Sequence, residues 1–223
     1  MHPIFTLSLI ATALAFLMRA VDASAVEVAD DELVALAQAG DIQAFNRLVG
    51  RHQRLMYNIA YRVLGNADRA ADATQDAFVS AFRHLSHYRG GSFRAWMGRI
   101  VKNQCYDLLR YEKRRPATSL DALLVASDDP PLDLQQQRSP RPEATLMQGE
   151  VAEWLQAVIM QLPHDQRMTL VMADVHGYSY EEIAEATEVE LGTVKSRLFR
   201  ARRRVREALQ ENAELLPHKY RLH

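Results

Sequence analysis

The segment from Ser179 to Arg206 leaves the chain few ways to fold. Ser179-Tyr180-Glu181-Glu182 has the form of a capping box: the Ser hydroxyl accepts from the amide of Glu182, and the Glu182 carboxylate accepts from the amide of Ser179. A helix therefore starts here and runs through Ile183 and Ala184 to Thr187. Glu188-Val189-Glu190-Leu191-Gly192 reads as a turn, and a second helix begins at Thr193. Ala184, Val189, Val194 and Leu198 fall where two steeply crossed helices need small or apolar contacts. The pattern predicts a helix-turn-helix near residues 180 to 206.

Charge sharpens this reading through its distribution, not its total. The 223 residues hold 27 Lys plus Arg against 28 Asp plus Glu, a balance that selects no partner. Yet Thr193 to Arg206 carries Lys195, Arg197, Arg200, Arg202, Arg203, Arg204 and Arg206 with no acidic residue. Alone, an Arg-rich helix reads as a solvated face with cations near its C-terminus. Behind a capped helix and a turn it reads as a recognition helix. Thr193, Lys195, Ser196, Arg197 and Arg200 then meet bases and phosphates in the major groove, and Arg203 and its neighbours extend the positive surface along the backbone.

Upstream, two helical blocks flank a stretch of different composition. In the first, Asp31 to Ala39 is a short helix stopped by Gly40, and Asp41 caps a long helix to Gly65 with Phe45, Leu48, Val49, Met56, Ile59, Ala60 and Val63 at helical spacing. Ala67 to His84 follows, turning Ala70, Thr74, Ala77, Phe78, Ala81 and Leu85 inward. After a loop containing Gly90-Gly91, a helix from Phe93 to about Tyr111 buries Met97, Ile100, Val101, Cys105 and Leu108. Residues 113–145 are rich in Pro, Ser, Asp and Gln and read as a flexible linker. The second block starts near Leu146 with Leu155, Val158, Ile159 and Leu162 on one face; Pro163 opens the next helix and Gly177 closes it. No strand pattern occurs in either block. The expectation is an all-α chain of two small helical domains, residues 30–112 and 146–212, with a tail at 213–223.

The apolar run from Ile4 to Met18, within a leader of residues 1–29, admits three readings. It resembles an export signal ending at Ala23-Ser24-Ala25, but lacks a preceding Lys or Arg and is shorter than a bilayer span. Translation starting at Met18 would remove it as a mis-annotated start, and an ordinary packed helix would retain it. Cys105 is the one cysteine, so an intramolecular disulfide and a Cys-rich zinc site are excluded, as suits a reducing cytoplasm. His52, His84, His87 and His176 are scattered, with no phosphate-binding loop, metal-ligand spacing or nucleophile motif beside them. No catalytic residue, metal, cofactor or small-molecule substrate is expected.

The stretch LPHDQRMTLVMADVHGYSYEEIAEATEVELGTVKSRLFRARRRV resembles the region of extracytoplasmic-function sigma factors that reads the promoter minus-35 element. AFNRLVGRHQRLMYNIAYRVLGNADRAADATQDAFVSAFRHLSHYRG and FRAWMGRIVKNQCYDLLRYEKRR resemble the same family's domain for core RNA polymerase and the minus-10 element. The likeness covers roughly residues 30 to 210. A lone helix-turn-helix regulator, the alternative, needs no such first block.

The resemblance implies roles for particular residues. Asp72, Gln75, Asp76 and Phe78 become candidate contacts to core polymerase, with Phe78 equally placed for the core. Ser86, His87, Tyr88 and Arg89 form the loop that would capture a flipped minus-10 base. Arg99, Lys102, Asn103, Tyr106 and Arg110 would follow the opened strand along the next helix. Trp96 is open between stacking on DNA and packing inside. The linker would thread the polymerase channel. The family also implies promoter-specific initiation in the cytoplasm, an envelope or stress signal, and an anti-sigma factor as partner.

Overall fold

The computed structural model describes residues 28–114 and 142–211, and of residues 142–151 the backbone alone. Residues 1–27 of the leader, most of the linker and the tail lie outside those residues. Among the described residues the chain is all-α, with no strand.

The first domain contains α1 (Asp30–Gln38), α2 (Ile42–Leu64), α3 (Ala67–His84) and α4 (Phe93–Arg114), with a 3-10 turn at Leu85–His87. Asp41 caps α2 by accepting from the amides of Gln43 and Ala44, and Asn66 caps α3 by accepting from Arg69. Gly65 ends α2 at φ 69°, a left-handed conformation that costs any side-chain-bearing residue more. The apolar stripe of α2 packs as its spacing predicts: Leu48, Met56, Ile59, Ala60 and Val63 are inaccessible to solvent. Each of the larger ones, Leu48, Met56, Ile59 and Val63, contributes roughly 1.5–3 kcal/mol by leaving water. Ile100 and Leu108 of α4, expected in the core, are half-buried against it.

The second domain contains α5 (Pro142–Gln161), α6 (His164–Leu170), a π-helical turn (Val171–Val175), α7 (Tyr180–Thr187) and α8 (Leu191–Glu211). Both helices flanking the linker reach into it: α4 continues through Lys113 to Arg114, and α5 starts at Pro142. Pro142 read as linker because proline breaks helices, but at the first position its missing N–H costs nothing.

The capping box at Ser179 is complete, with Glu182 N donating to Ser179 Oγ at 3.1 Å and Ser179 N donating to Glu182 Oε2 at 2.9 Å. The turn is shorter than the sequence suggests. Glu188 takes the left-handed conformation at φ 58°, the N–H groups of Thr193 and Val194 both donate to Glu190 O, and Leu191 and Gly192 already belong to α8. The reversal falls on Glu188, not on the glycine.

The two domains lie against each other, and their buried residues form one continuous cluster. α7 packs across α4, and α6 with its π-helical turn meets α2. At Gly98 of α4, an added Cβ would lie 2.7 Å from Met172 Cε and 3.6 Å from Ala186 Cβ, so only glycine permits this approach without a shift. Arg167 of α6 is buried and donates to Val63 O at 2.6 Å, to Leu162 O at 3.1 Å and to Met160 O, tying the second domain to the end of α2.

Ser179→Ala removes one half of the capping box and is expected to cost about 1 kcal/mol of stability, measured by urea denaturation. An unchanged midpoint would show that the start of α7 is held by packing alone.

Candidate nucleic-acid and protein interfaces

α8 presents its cations on the face opposite its buried Val194, Leu198 and Ala201. Lys195, Arg200 and Arg203 are exposed, Thr193 and Ser196 half-buried. Arg200 Nη2 donates to Ser196 Oγ at 3.3 Å, and Arg203 lies 3.4 Å from Glu207. Arg197 is held instead: its Nη2 donates to Asp165 Oδ2 at 2.6 Å, and its side chain is only 21% exposed. A groove of about 540 Å³ opens between the start of α6 and α8, lined by His164, Asp165, Thr193, Ser196, Arg197 and Arg200. Arg202 makes a two-pronged pair with Asp174 at 2.9 and 2.6 Å, which turns it from the groove toward its own domain.

The loop before α4 divides its residues between anchoring and display. Ser86, His87 and Arg89 are exposed. Tyr88 is not: it is 7% exposed, its ring packs on Phe93 and Trp96, and its hydroxyl donates to Gly91 O at 2.7 Å. Burial, then the nearby charges of Asp31, Glu185 and Asp30, push that hydroxyl up to about 12. Tyr88 therefore shapes the loop rather than offering a stacking face, because an aromatic directly after the 3-10 turn finds a core on its inner side. Trp96 belongs to the same aromatic cluster.

Along α4, Arg99, Asn103 and Arg110 face solvent as the helical spacing predicts, Arg110 pairing with Asp107 at 2.5 Å. Lys102 and Tyr106 do not. Lys102 is 6% exposed, with Nζ 3.1 Å from Glu188 Oε2, and Arg99 reaches Glu188 Oε1 at 2.7 Å. Tyr106 donates to Asp165 Oδ1 at 3.1 Å, and burial together with that carboxylate raises its hydroxyl well above the usual phenol range. At Lys102 and Tyr106 the face expected to be open is covered by the second domain.

On α3, Asp72, Gln75 and Asp76 are exposed together, forming the acidic stripe the spacing predicts. Phe78 is 8% exposed and belongs to the core; the apolar edge of the stripe consists of Val79 and Phe82, 42% and 50% exposed. Position 78 faces inward because it is one helical turn from Thr74 and Ala81, both buried.

Three residues of consequence escaped the sequence reading. Gln38 of α1 donates from Nε2 to Leu85 O at 2.8 Å and to Tyr88 O at 3.0 Å, bracing the loop from outside. Asp165 and Glu188 each bind residues of α4 across the domain boundary. An acid in the first turn of a helix, as Asp165 is, or at a chain reversal, as Glu188 is, carries no local signal for a partner far away in sequence.

Comparison with known proteins agrees with this architecture. Residues 48–115 match Sigma-70 region 2 and residues 152–205 match Sigma-70, region 4. The chain belongs to the sigma-70 family of RNA polymerase sigma factors. Within it the extracytoplasmic-function group fits nearly end to end: the sigma-E factor of Escherichia coli is 34% identical, over 82% of this chain and 96% of that one. The sigma-H factor of Pseudomonas aeruginosa is 36% identical, over 81% and 94%. The solved structure of CnrH in complex with the cytosolic domain of CnrY is similar at TM-score 0.59 and 25% identity, covering 81% of this chain and 96% of that one. The chain thus directs core RNA polymerase to promoters, as a non-enzymatic initiation factor. Among the described residues no helix is long and apolar enough to cross a membrane.

One titratable group at the domain boundary has a testable consequence. Burial, then the charges of Arg94 and Arg62, depress His176 from its ordinary value to about 4, and its Nε2 is buried without a partner. Between about pH 6.5 and 4 the unfolded chain binds a proton there that the folded chain refuses, so stability falls as pH falls through that window. The melting temperature is expected to be lower at pH 5.5 than at 7.5, with His176→Gln flattening part of the difference. A His176→Gln profile parallel to wild type would refute this.

Proposed function

We propose that α8 reads the upstream promoter element through Thr193, Lys195, Ser196, Arg197, Arg200 and Arg203, and that the loop and α4 read the downstream one. In the loop, Ser86, His87 and Arg89 meet the displaced base while Tyr88 holds their geometry. Arg99, Lys102, Asn103, Tyr106 and Arg110 then follow the opened strand. Asp72, Gln75 and Asp76, with Val79 and Phe82 as their apolar edge, dock on core polymerase. Phe78 supports that stripe from beneath. The observation that carries this reading is the exposed cation row of α8 above the groove at the start of α6.

The closed arrangement is not the one that reads a promoter. Elements centred about 25 base pairs apart span ~85 Å of duplex, whereas a compact chain of this length has a radius of gyration of ~17 Å. The domains separate to reach both, and covalent geometry lets residues 115–141 extend to roughly 90 Å, which is sufficient. The compact form suits capture by an anti-sigma factor. The similar CnrH was solved with the cytosolic domain of CnrY, and this chain is proposed to have an anti-sigma factor as its own partner in the cytoplasm.

Run-off transcription with purified core polymerase tests the whole reading: a defined start site is expected, and none would sink it. Arg200→Ala is expected to weaken upstream-element binding by the holoenzyme about tenfold and to lower the salt slope by about one. Asp76→Arg is expected to weaken core binding several-fold while the upstream contact made by assembled holoenzyme stays intact. Equal losses in both assays for either variant would point to misfolding.

A further inference from the structure

The loop assigned to base capture is fixed from α1, an element with no promoter contact of its own. The centre of the loop is the 3-10 turn at Leu85–His87, closed by the Tyr88 amide donating to Leu85 O at 3.1 Å. Gln38, the last residue of α1, reaches both ends of that turn with one side-chain nitrogen: Nε2 donates to Leu85 O at 2.8 Å and to Tyr88 O at 3.0 Å. Ser86 and His87 lie between the two pinned carbonyls, and Arg89 follows the second directly. The three side chains displayed to solvent therefore leave from backbone whose direction Gln38 sets.

α1 is itself held firmly enough to act as a strut. Leu33, Val34 and Ala37 seat it in the core. At its start, Asp30 lies 2.9 Å from Arg51 and 2.7 Å from His52, both of α2. At its end, the amides of Gly40 and Asp41 donate to Ala37 O and Leu36 O, each at 3.0 Å. Tyr88 completes the frame: its ring packs on Phe93 and Trp96, its hydroxyl donates to Gly91 O, and its carbonyl accepts from Gln38. Beyond it the chain passes through Gly90 and Gly91, both at φ 96°, which add little stiffness of their own. Gln38 stands at the surface, where water would satisfy the same carbonyls. What water does not supply is a fixed direction. A primary amide does, because both of its hydrogens are donors on one planar nitrogen.

We propose that Gln38 is a positioning residue for base capture: by clamping both ends of the turn it holds Ser86, His87 and Arg89 in the arrangement that recognises an unpaired base of the downstream element. This rests on the assignment of that loop made above. Taking a base out of the stack costs energy that only a well-formed pocket returns. A loop set before DNA arrives loses little freedom on binding and meets the right base with its donors in place. A loop free to shift accommodates several bases nearly alike. Gln38 thus acts on which base is accepted, through the backbone and without touching DNA.

The test uses the full chain carrying Gln38→Ala or Gln38→Glu, the second equal in length but setting carboxylate oxygens against the two carbonyls. Each is assembled with core polymerase for run-off transcription on a template from which the wild-type holoenzyme starts. A companion set of templates carries every single base change across the downstream element. Wild type is expected to lose about tenfold at one position of that element, the cost of a mismatch at a captured base. Both variants are expected to start several-fold less often on the original template and to flatten the penalty at that position, with core binding and melting temperature unchanged. A loss equal across all templates, with or without a lower melting temperature, overturns the proposal, because a loosened domain produces the same. Full discrimination at wild-type activity overturns it too. His87→Ala and Arg89→Ala on the same templates separate the clamp from the loop. If they flatten the penalty while the Gln38 variants keep it, the loop reads the base unaided and the clamp alone is refuted. A wild type with no such position, or loop variants that leave the penalty intact, refutes the loop assignment itself.

Discussion

The closed molecule depends on how nearly α4 and the second domain approach, and Gly98 stands at that contact. A Cβ there would stand 2.7 Å from Met172 Cε, 3.5 Å from the Tyr178 hydroxyl and 3.6 Å from Ala186 Cβ. Around this point the polar contacts follow in order along α4. Ser92 meets Glu182, Arg94 meets Tyr178, Arg99 and Lys102 meet Glu188, and Tyr106 meets Asp165. Arg99, Lys102 and Tyr106 stand three and four apart on one face of the helix, so a single close approach brings these three into register with the other domain.

That register creates a tension between stability and function. Lys102 is nearly sealed from water, and an ammonium so placed needs its carboxylate. Glu188 is itself about half exposed, so the pair is screened on one side and its net contribution is small. The hold between the domains therefore comes chiefly from their shared apolar cluster and from Arg167, with the ion pairs adding register.

Much of the fold was legible because its signals are local. The capping box at Ser179, the Asp41 cap, the Gly65 stop and the stripe from Phe45 to Val63 each lie within a few turns of helix, and each predicts its own element. The boundaries that moved did so for local reasons too. Pro142 starts a helix as readily as it ends one. Gly192 had the freedom to reverse the chain, but Glu188 took that role and left the glycine helical. The π-helical turn at Val171–Val175 had no such signal; hydrogen bonds from His176 N to Val171 O and from Tyr178 N to Met172 O define it only once Met172 and Tyr178 have somewhere to pack.

The sequence by itself determined that this is an all-helical, two-block chain with a basic recognition helix, because helical period, caps and charge runs are properties of neighbouring residues. The fate of individual side chains on those helices was decided by tertiary structure alone. Phe78 and Tyr88 went inward, Lys102 and Tyr106 were covered, and Arg197 was bound by an acid from another helix. Amphipathic spacing says which residues share a face, but whether that face meets water, its own domain or a second domain depends on chain segments far away in sequence. Glu188 shows the limit most sharply. Nothing near it in the chain explains a glutamate at a left-handed turn, and the reason lies across the boundary, on α4.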